Sequence, residues 1–345
     1  MLALTIKAQQ DTTKRFNWTV LPVVYYTPEA GLAYGGGGAV TYLFKDSKRP
    51  SQATFGAVHT TLNQLLLYAN YRAFWNKDKY LSYGEVGYYK YEYIFYEIGS
   101  KSTLENERFY NVNFPRLRAS FLRKIDRDFY LGLRWWFDAY NIQNLNDSGE
   151  VVGRGVVGGK GGNTSGIGVV TNYDSRDDQL FPQKGWFVEG VLLPHAYFMG
   201  SDFNFFKASA DIAYYYPLKK DRMLFAFNAY AESNFGETPF QQLAMLGGDK
   251  QMRGYYQGRY RDEHALILQA EYRWMFWKRF GFAAFASAAK VGGLDEPYLS
   301  NKNHFSGGGG ARFQLSKSST LNLRLDAAYS DDGNFNFYLT FGEAF

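Results

Sequence analysis

Residues 264–277 read His264-Ala-Leu-Ile-Leu-Gln-Ala-Glu-Tyr-Arg-Trp-Met-Phe-Trp277, and the period of the stretch is two. Leu266, Leu268, Ala270, Tyr272, Trp274 and Phe276 fall on one side of an extended chain, with Gln269, Glu271 and Arg273 on the other, because successive side chains of a strand point to opposite faces. The same pattern recurs outward from here. In 129–140, Phe129, Leu131, Leu133, Trp135 and Phe137 oppose Arg134, Trp136, Asp138 and Tyr140. In 319–330, Leu321, Leu323 and Leu325 oppose Asn322, Arg324 and Asp326. In the last segment Phe335, Phe337, Leu339, Phe341 and Phe345 share a face opposite Asn336, Tyr338 and Thr340.

Strands of a soluble β-sandwich alternate too, but they average ~5–6 residues, whereas these run about eleven to fifteen. One face is oily and the other charged, as a barrel with a wet or plugged lumen requires. Backbone N–H and C=O groups in hydrocarbon must be paired, so such a sheet has to close. About sixteen segments can be counted, from 16–26 to 333–345, with a short tail over 1–15. Every second connection is short (45–51, 76–78, 124–126, 278–279), and the intervening set holds the long ones: 92–106, 143–163, 235–261 and 291–303. Short turns belong on the periplasmic side and long loops outside. The expected fold is therefore an all-β, sixteen-stranded antiparallel transmembrane barrel over 16–345, in a bacterial outer membrane, with both termini periplasmic.

Composition agrees. The chain has 29 Tyr, 30 Phe and 36 Gly against 9 Pro and no Cys, which excludes a thiolate metal site and a cysteine nucleophile. A mean hydropathy of −0.37 argues against a helical membrane protein. The net charge of +5 is mild and accompanies no nucleic-acid motif. The short turns are basic, with Lys45, Lys48, Arg49, Lys77, Lys219 and Lys278. A rim that meets lipid phosphates and ordinary solvated turns are both open readings. The tail 1–15 reads either as the remnant of a secretory signal or as a frayed terminus.

Two stretches carry more than periodicity. Tyr173-Asp-Ser-Arg-Asp-Asp-Gln-Leu-Phe-Pro-Gln-Lys-Gly185 lies in the turn between the eighth and ninth segments. Gly247-Gly-Asp-Lys-Gln-Met-Arg-Gly-Tyr255 lies in the longest loop, between the eleventh and twelfth. Together with the terminal Phe345, they resemble the BamA/TamA superfamily of outer-membrane assembly and translocation barrels (the bacterial surface antigen domain).

The resemblance implies a sixth outer loop folded into the lumen, its tip Arg253-Gly254-Tyr255 clamped by an acidic wall residue. Glu271 occupies that position. The family's second wall acid falls at Ser287, so a clamp with one carboxylate is expected. In the turn motif, Asp174 and Arg176 are placed to bond each other, and Pro182 and Gly185 to set the geometry. The seam between first and last strands is weak in the family; Pro22 removes one donor there, and Phe345 closes the lipid-facing alternation.

Members that fold barrels or export polypeptide carry periplasmic POTRA domains, for which this chain shows no counterpart. A periplasmic or lipoprotein partner is expected to fill that role. The implied activity is insertion or translocation of polypeptide clients, among outer-membrane lipids and without cofactor or metal. The alternative is a structural or pore-like barrel that anchors a partner. Enzyme activity is not expected, since no motif brings a serine to His59, His195, His264 or His304.

Overall fold

The structure, a computed structural model, describes residues 16–143, 155–179, 181–219, 222–293, 302–316 and 319–345. The expected tail 1–15 lies outside them, as do parts of connections 143–163 and 291–303. The described residues form eighteen strands, in order: β1 Phe16–Thr27, β2 Gly31–Tyr42, β3 Ser51–Thr60, β4 Leu65–Trp75, β5 Tyr80–Phe95, β6 Arg108–Asp126, β7 Phe129–Gln143, β8 Gly162–Asp174, β9 Gly185–His195, β10 Phe205–Lys219, β11 Met223–Gly236, β12 Ala244–Leu246, β13 Tyr260–Asp262, β14 His264–Trp277, β15 Phe280–Gly292, β16 Asn303–Ser316, β17 Ser319–Ser330 and β18 Phe335–Phe341. Sixteen close into one antiparallel barrel, and β12 and β13 form a separate two-stranded ribbon in the loop that joins β11 to β14. Among the described residues no helix is long and apolar enough to cross a membrane; the strands cross.

The alternation sorts the two faces. On β14, Leu268 is 50% exposed and Phe276 48%, while Gln269, Glu271 and Arg273 are buried. On β7, Leu131, Leu133 and Trp135 are exposed and Arg134 and Asp138 are buried. A soluble protein would cover that apolar exterior; here hydrocarbon does, and the buried polar residues line a filled bore.

Among the described residues the seam is the most sparsely paired junction of the barrel. β1 pairs with β2 along its whole length, from Phe16↔Tyr42 to Thr27↔Gly31. Among the described residues it meets β18 at one register pair, Tyr26↔Leu339. The alternation predicts a straight last strand that ends on a lipid-facing Phe345. The last segment does not run straight to Phe345: β18 stops at Phe341, and Gly342 turns with φ 77°. Residues 343–345 enter the bore, where Phe345 packs beside Tyr215 and Leu224 instead of facing lipid. The physical reason lies at Glu343: a straight strand would put its carboxylate on the outward face with Phe341.

Candidate functional site

The loop between β11 and β14 owes its shape to glycine. Gly247, Gly248, Gly254 and Gly258 all have positive φ, a region open to glycine at little cost. At the tip, Gly254 has φ 112°, and a Cβ there would stand 3.1 Å from the Tyr329 carbonyl oxygen. The backbone can therefore lie flat on the inner wall. Gly254 N donates to the Tyr338 hydroxyl at 3.0 Å, and its carbonyl accepts from Ser330 Oγ at 3.1 Å and Asn336 Nδ2 at 2.7 Å. The Tyr255 hydroxyl donates to Asp331 and Met252 N to Gln269 Oε1 (3.0 Å).

Arg253 is buried among these contacts. Its guanidinium bonds Glu271 of β14 through Nη2 and Asp326 of β17 through Nη1, and sits 3.5 Å above the Phe285 ring. The second carboxylate thus comes from β17, which corrects the single-carboxylate expectation. Ser287 does not reach the arginine; its hydroxyl lies 3.4 Å from Gln269 Oε1. Asp326 was visible in the alternation, on the charged face with Asn322 and Arg324, but its distance from Glu271 in sequence hid the pairing.

The pair is part of a larger network. Glu271 Oε1 accepts from Arg273 Nε at 2.8 Å and lies 3.3 Å from Arg312 Nη2. Asp326 Oδ1 accepts from Arg312 Nη1 at 2.5 Å, and Glu343 Oε2 from Arg312 Nε at 2.9 Å. Arg324 donates to the Asp249 carbonyl at 2.9 Å and the Thr340 hydroxyl at 2.8 Å. Arg253, Arg273, Arg312 and Arg324 are all essentially fully buried. Desolvating four guanidiniums is tolerable only because planar forks meet several carboxylates at once. Space for them is made by Gly310 of β16, where a Cβ would fall 2.1 Å from Asp326 Oδ1, and by Gly308, where it would fall 2.8 Å from Phe285.

Elsewhere the loop is held by Gln242, whose Nε2 donates to the Tyr140 hydroxyl at 2.9 Å and whose carbonyl accepts from Lys207 at 2.8 Å. Phe240 and Leu243 pack on an aromatic wall that includes Tyr89, Tyr110 and Phe114. Gln257 N donates to Glu29 Oε1 at 2.8 Å, in the β1–β2 turn. Asp249, Lys250, Arg324 and Glu343 line the same cavity of about 220 Å³ as Glu29. Burial pushes the Glu29 carboxyl up to about 7, against the Gln257 N–H bond, which favours the anion, and with a smaller push from Asp249. A carboxyl raised in the folded state contributes stability that is complete below its ordinary value, near 4.5, and lost as pH rises through about 7. The effect is of the order of 3 kcal/mol. Glu29→Gln is expected to narrow the difference between thermal midpoints at pH 5.5 and pH 8; an unchanged difference would show that Glu29 does not titrate there.

In the turn motif, Arg176 Nε and Nη2 donate to Asp174 at 2.8 and 2.9 Å, and Arg176 covers the Phe187 ring at 4.5 Å. Arg49 bonds Asp128 at 2.7 Å and the Asp174 carbonyl at 3.3 Å, which ties three turns of one rim together. Asp177 Oδ1 accepts from the backbone N–H groups of Asp178, Gln183 and Lys184, which folds the turn around a buried Pro182. Gly185 has φ 108°. His195 stacks on Phe205 and His304 on Tyr260, whereas His59 is exposed beside Tyr34.

A closed antiparallel barrel with an apolar exterior, a charged bore and a loop clamped inside it belongs to the class of outer-membrane β-barrels. The chain belongs to the Omp85 superfamily, whose domain matches residues 53–345. The fold is similar to that of BamA from Haemophilus ducreyi lacking POTRA domains 1-3, at 15% identity and a TM-score of 0.62, over 95% of this chain and 70% of that one. It is also similar to CdiB from Acinetobacter baumannii (12% identity, TM-score 0.58, 94% of this chain and 60% of that one) and to CdiB from Escherichia coli (13%, 0.62, 94% and 62%). The chain thus spans less than two thirds of either CdiB. An Omp85 barrel resides in the outer membrane of Gram-negative bacteria.

Proposed function

We propose that this barrel assists insertion or translocation of polypeptide at the outer membrane, with both termini on the periplasmic side and a periplasmic or lipoprotein partner that delivers the client. The observation that carries the reading is the seam. Among the described residues, β1 over 16–25 has β2 on one side and no register pair with β18 on the other. An unpaired strand edge is a template for another strand, and inside a bilayer its bare N–H and C=O groups are costly until one arrives. The clamp serves this function by holding the loop and the wall strands β14 to β17 as one rigid side of the seam. A bore filled by the loop favours this reading over the open pore.

A cysteine pair at Tyr26 and Leu339, opposite each other across the seam, tests it. Client insertion into liposomes, with partner present, is expected to fall at least tenfold on oxidation and to return on reduction. Insertion undiminished by oxidation would overturn the reading.

A further inference from the structure

After Phe341 the chain leaves the line of β1. The Tyr26↔Leu339 pair fixes what a longer β18 would meet: Phe341 would face Val24, Glu343 would face Pro22 and Phe345 would face Val20. Phe335 and Phe337, two residues apart, are more than half exposed on the outer side. The same parity would carry Glu343 to the outer surface, against hydrocarbon or headgroups, at a cost that apolar neighbours cannot offset.

Instead Gly342 N keeps its ladder bond to the Asn322 carbonyl of β17 at 2.8 Å, and the chain then turns inward. Glu343 Oε1 accepts from Asn322 Nδ2 at 2.8 Å; Oε2 accepts from Arg312 Nε at 2.9 Å and stands 3.7 Å from Arg273 Nε. Arg273 Nη2 donates to the Phe345 carbonyl at 2.9 Å.

The charge count explains the pull. The wall supplies Arg273, Arg312 and Arg324 against Glu271 and Asp326, one positive charge in excess. The loop brings Arg253, the partly exposed Asp249 at 3.5 Å from Arg324 and the exposed Lys250, and so does not remove the excess on the wall. Glu343 cancels it. A buried surplus guanidinium is expensive, so the wall attracts this carboxylate whether or not the loop is docked. Pro22, at the position opposite, has no N–H to offer a zipped strand.

We infer that Glu343 sets how far the seam closes: hooked on Arg312 and Arg273, it withholds residues 342–345 from β1 and keeps the β1 edge open for an incoming strand. The inference deepens the insertion reading and rests on it. With the hook removed, β18 gains residues that pair with β1, and the edge is occupied by the barrel's own chain.

The test uses the full chain in liposomes with cysteines at Val20 and Phe345, which would face each other only if β18 ran on in register instead of turning into the bore. Mild oxidation is expected to trap little disulfide in the parent and about tenfold more in Glu343→Leu. Glu343→Gln, which keeps the bond to Asn322 but not the charge, is expected to fall between and carries the test if the leucine variant does not fold. Equal trapping in parent and folded variant overturns the hook. Client insertion, measured on Glu343→Leu without the cysteines, reports separately: increased trapping with unimpaired insertion retains the hook and overturns the insertion reading.

Discussion

Arg253→Glu is expected to expel the loop from the bore. The new carboxylate would stand between Glu271 and Asp326, where the parent guanidinium bonds both. Even the milder Arg253→Ala removes two charge-assisted bonds and the cation over Phe285, a loss of the order of 3 kcal/mol from loop docking. Two measurements follow it. Protease sites in 237–263 become accessible in the folded barrel, and conductance in planar bilayers rises as the bore empties. Charge exchange with Glu271→Arg is not expected to restore docking. Glu271 is shared with Arg273 and Arg312, so an arginine at 271 would meet two guanidiniums, and Asp326 would still repel the glutamate at 253. A protected loop and a closed bore in Arg253→Glu would remove the clamp from the account.

Two glycine substitutions, chemically identical, are expected to have opposite outcomes. Gly310→Ala places a methyl group 2.1 Å from Asp326 Oδ1 and 2.3 Å from the Leu325 carbonyl oxygen. Neither atom has room to retreat, since Asp326 is held by Arg253 and Arg312 and the carbonyl belongs to the neighbouring strand. Overpacking of this kind costs about 1–3 kcal/mol, and here it falls on the clamp itself. At Gly36 of β2 a Cβ would meet nothing within 4 Å, so Gly36→Ala is expected to be neutral or to stabilise by about 0.4–1 kcal/mol through the unfolded chain. Urea unfolding of both variants, folded in liposomes and followed by tryptophan fluorescence, decides the matter. Equal midpoints would mean that β16 moves aside, and that its glycines are not there to house the clamp.

Much of this was legible along the chain. Strand positions and the two faces followed from parity, because a barrel strand lies between two unlike solvents and each side chain must suit one of them. The loop tip Arg253-Gly254-Tyr255 and the acid Glu271 could be picked out by motif. The partners at a distance could not. Asp326, Arg312 and Glu343 lie on strands or tails whose mutual placement depends on closure of the whole sheet, and Ser287 holds a clamp position by motif while its hydroxyl reaches Gln269 instead. At Phe345, parity itself misled: it counts residues and cannot register that the intervening Glu343 has a better place to go.

Local residue order dictates the strand pattern, the oily and wet faces, and the glycines that let a loop turn sharply, since each depends on neighbours only a few residues away. Tertiary structure alone decided which carboxylates share Arg253, how little of β1 is zipped to β18, and that residues 343–345 turn inward. Those outcomes depend on the sum of buried charge across strands far apart in the chain, and that sum exists only once the barrel has closed.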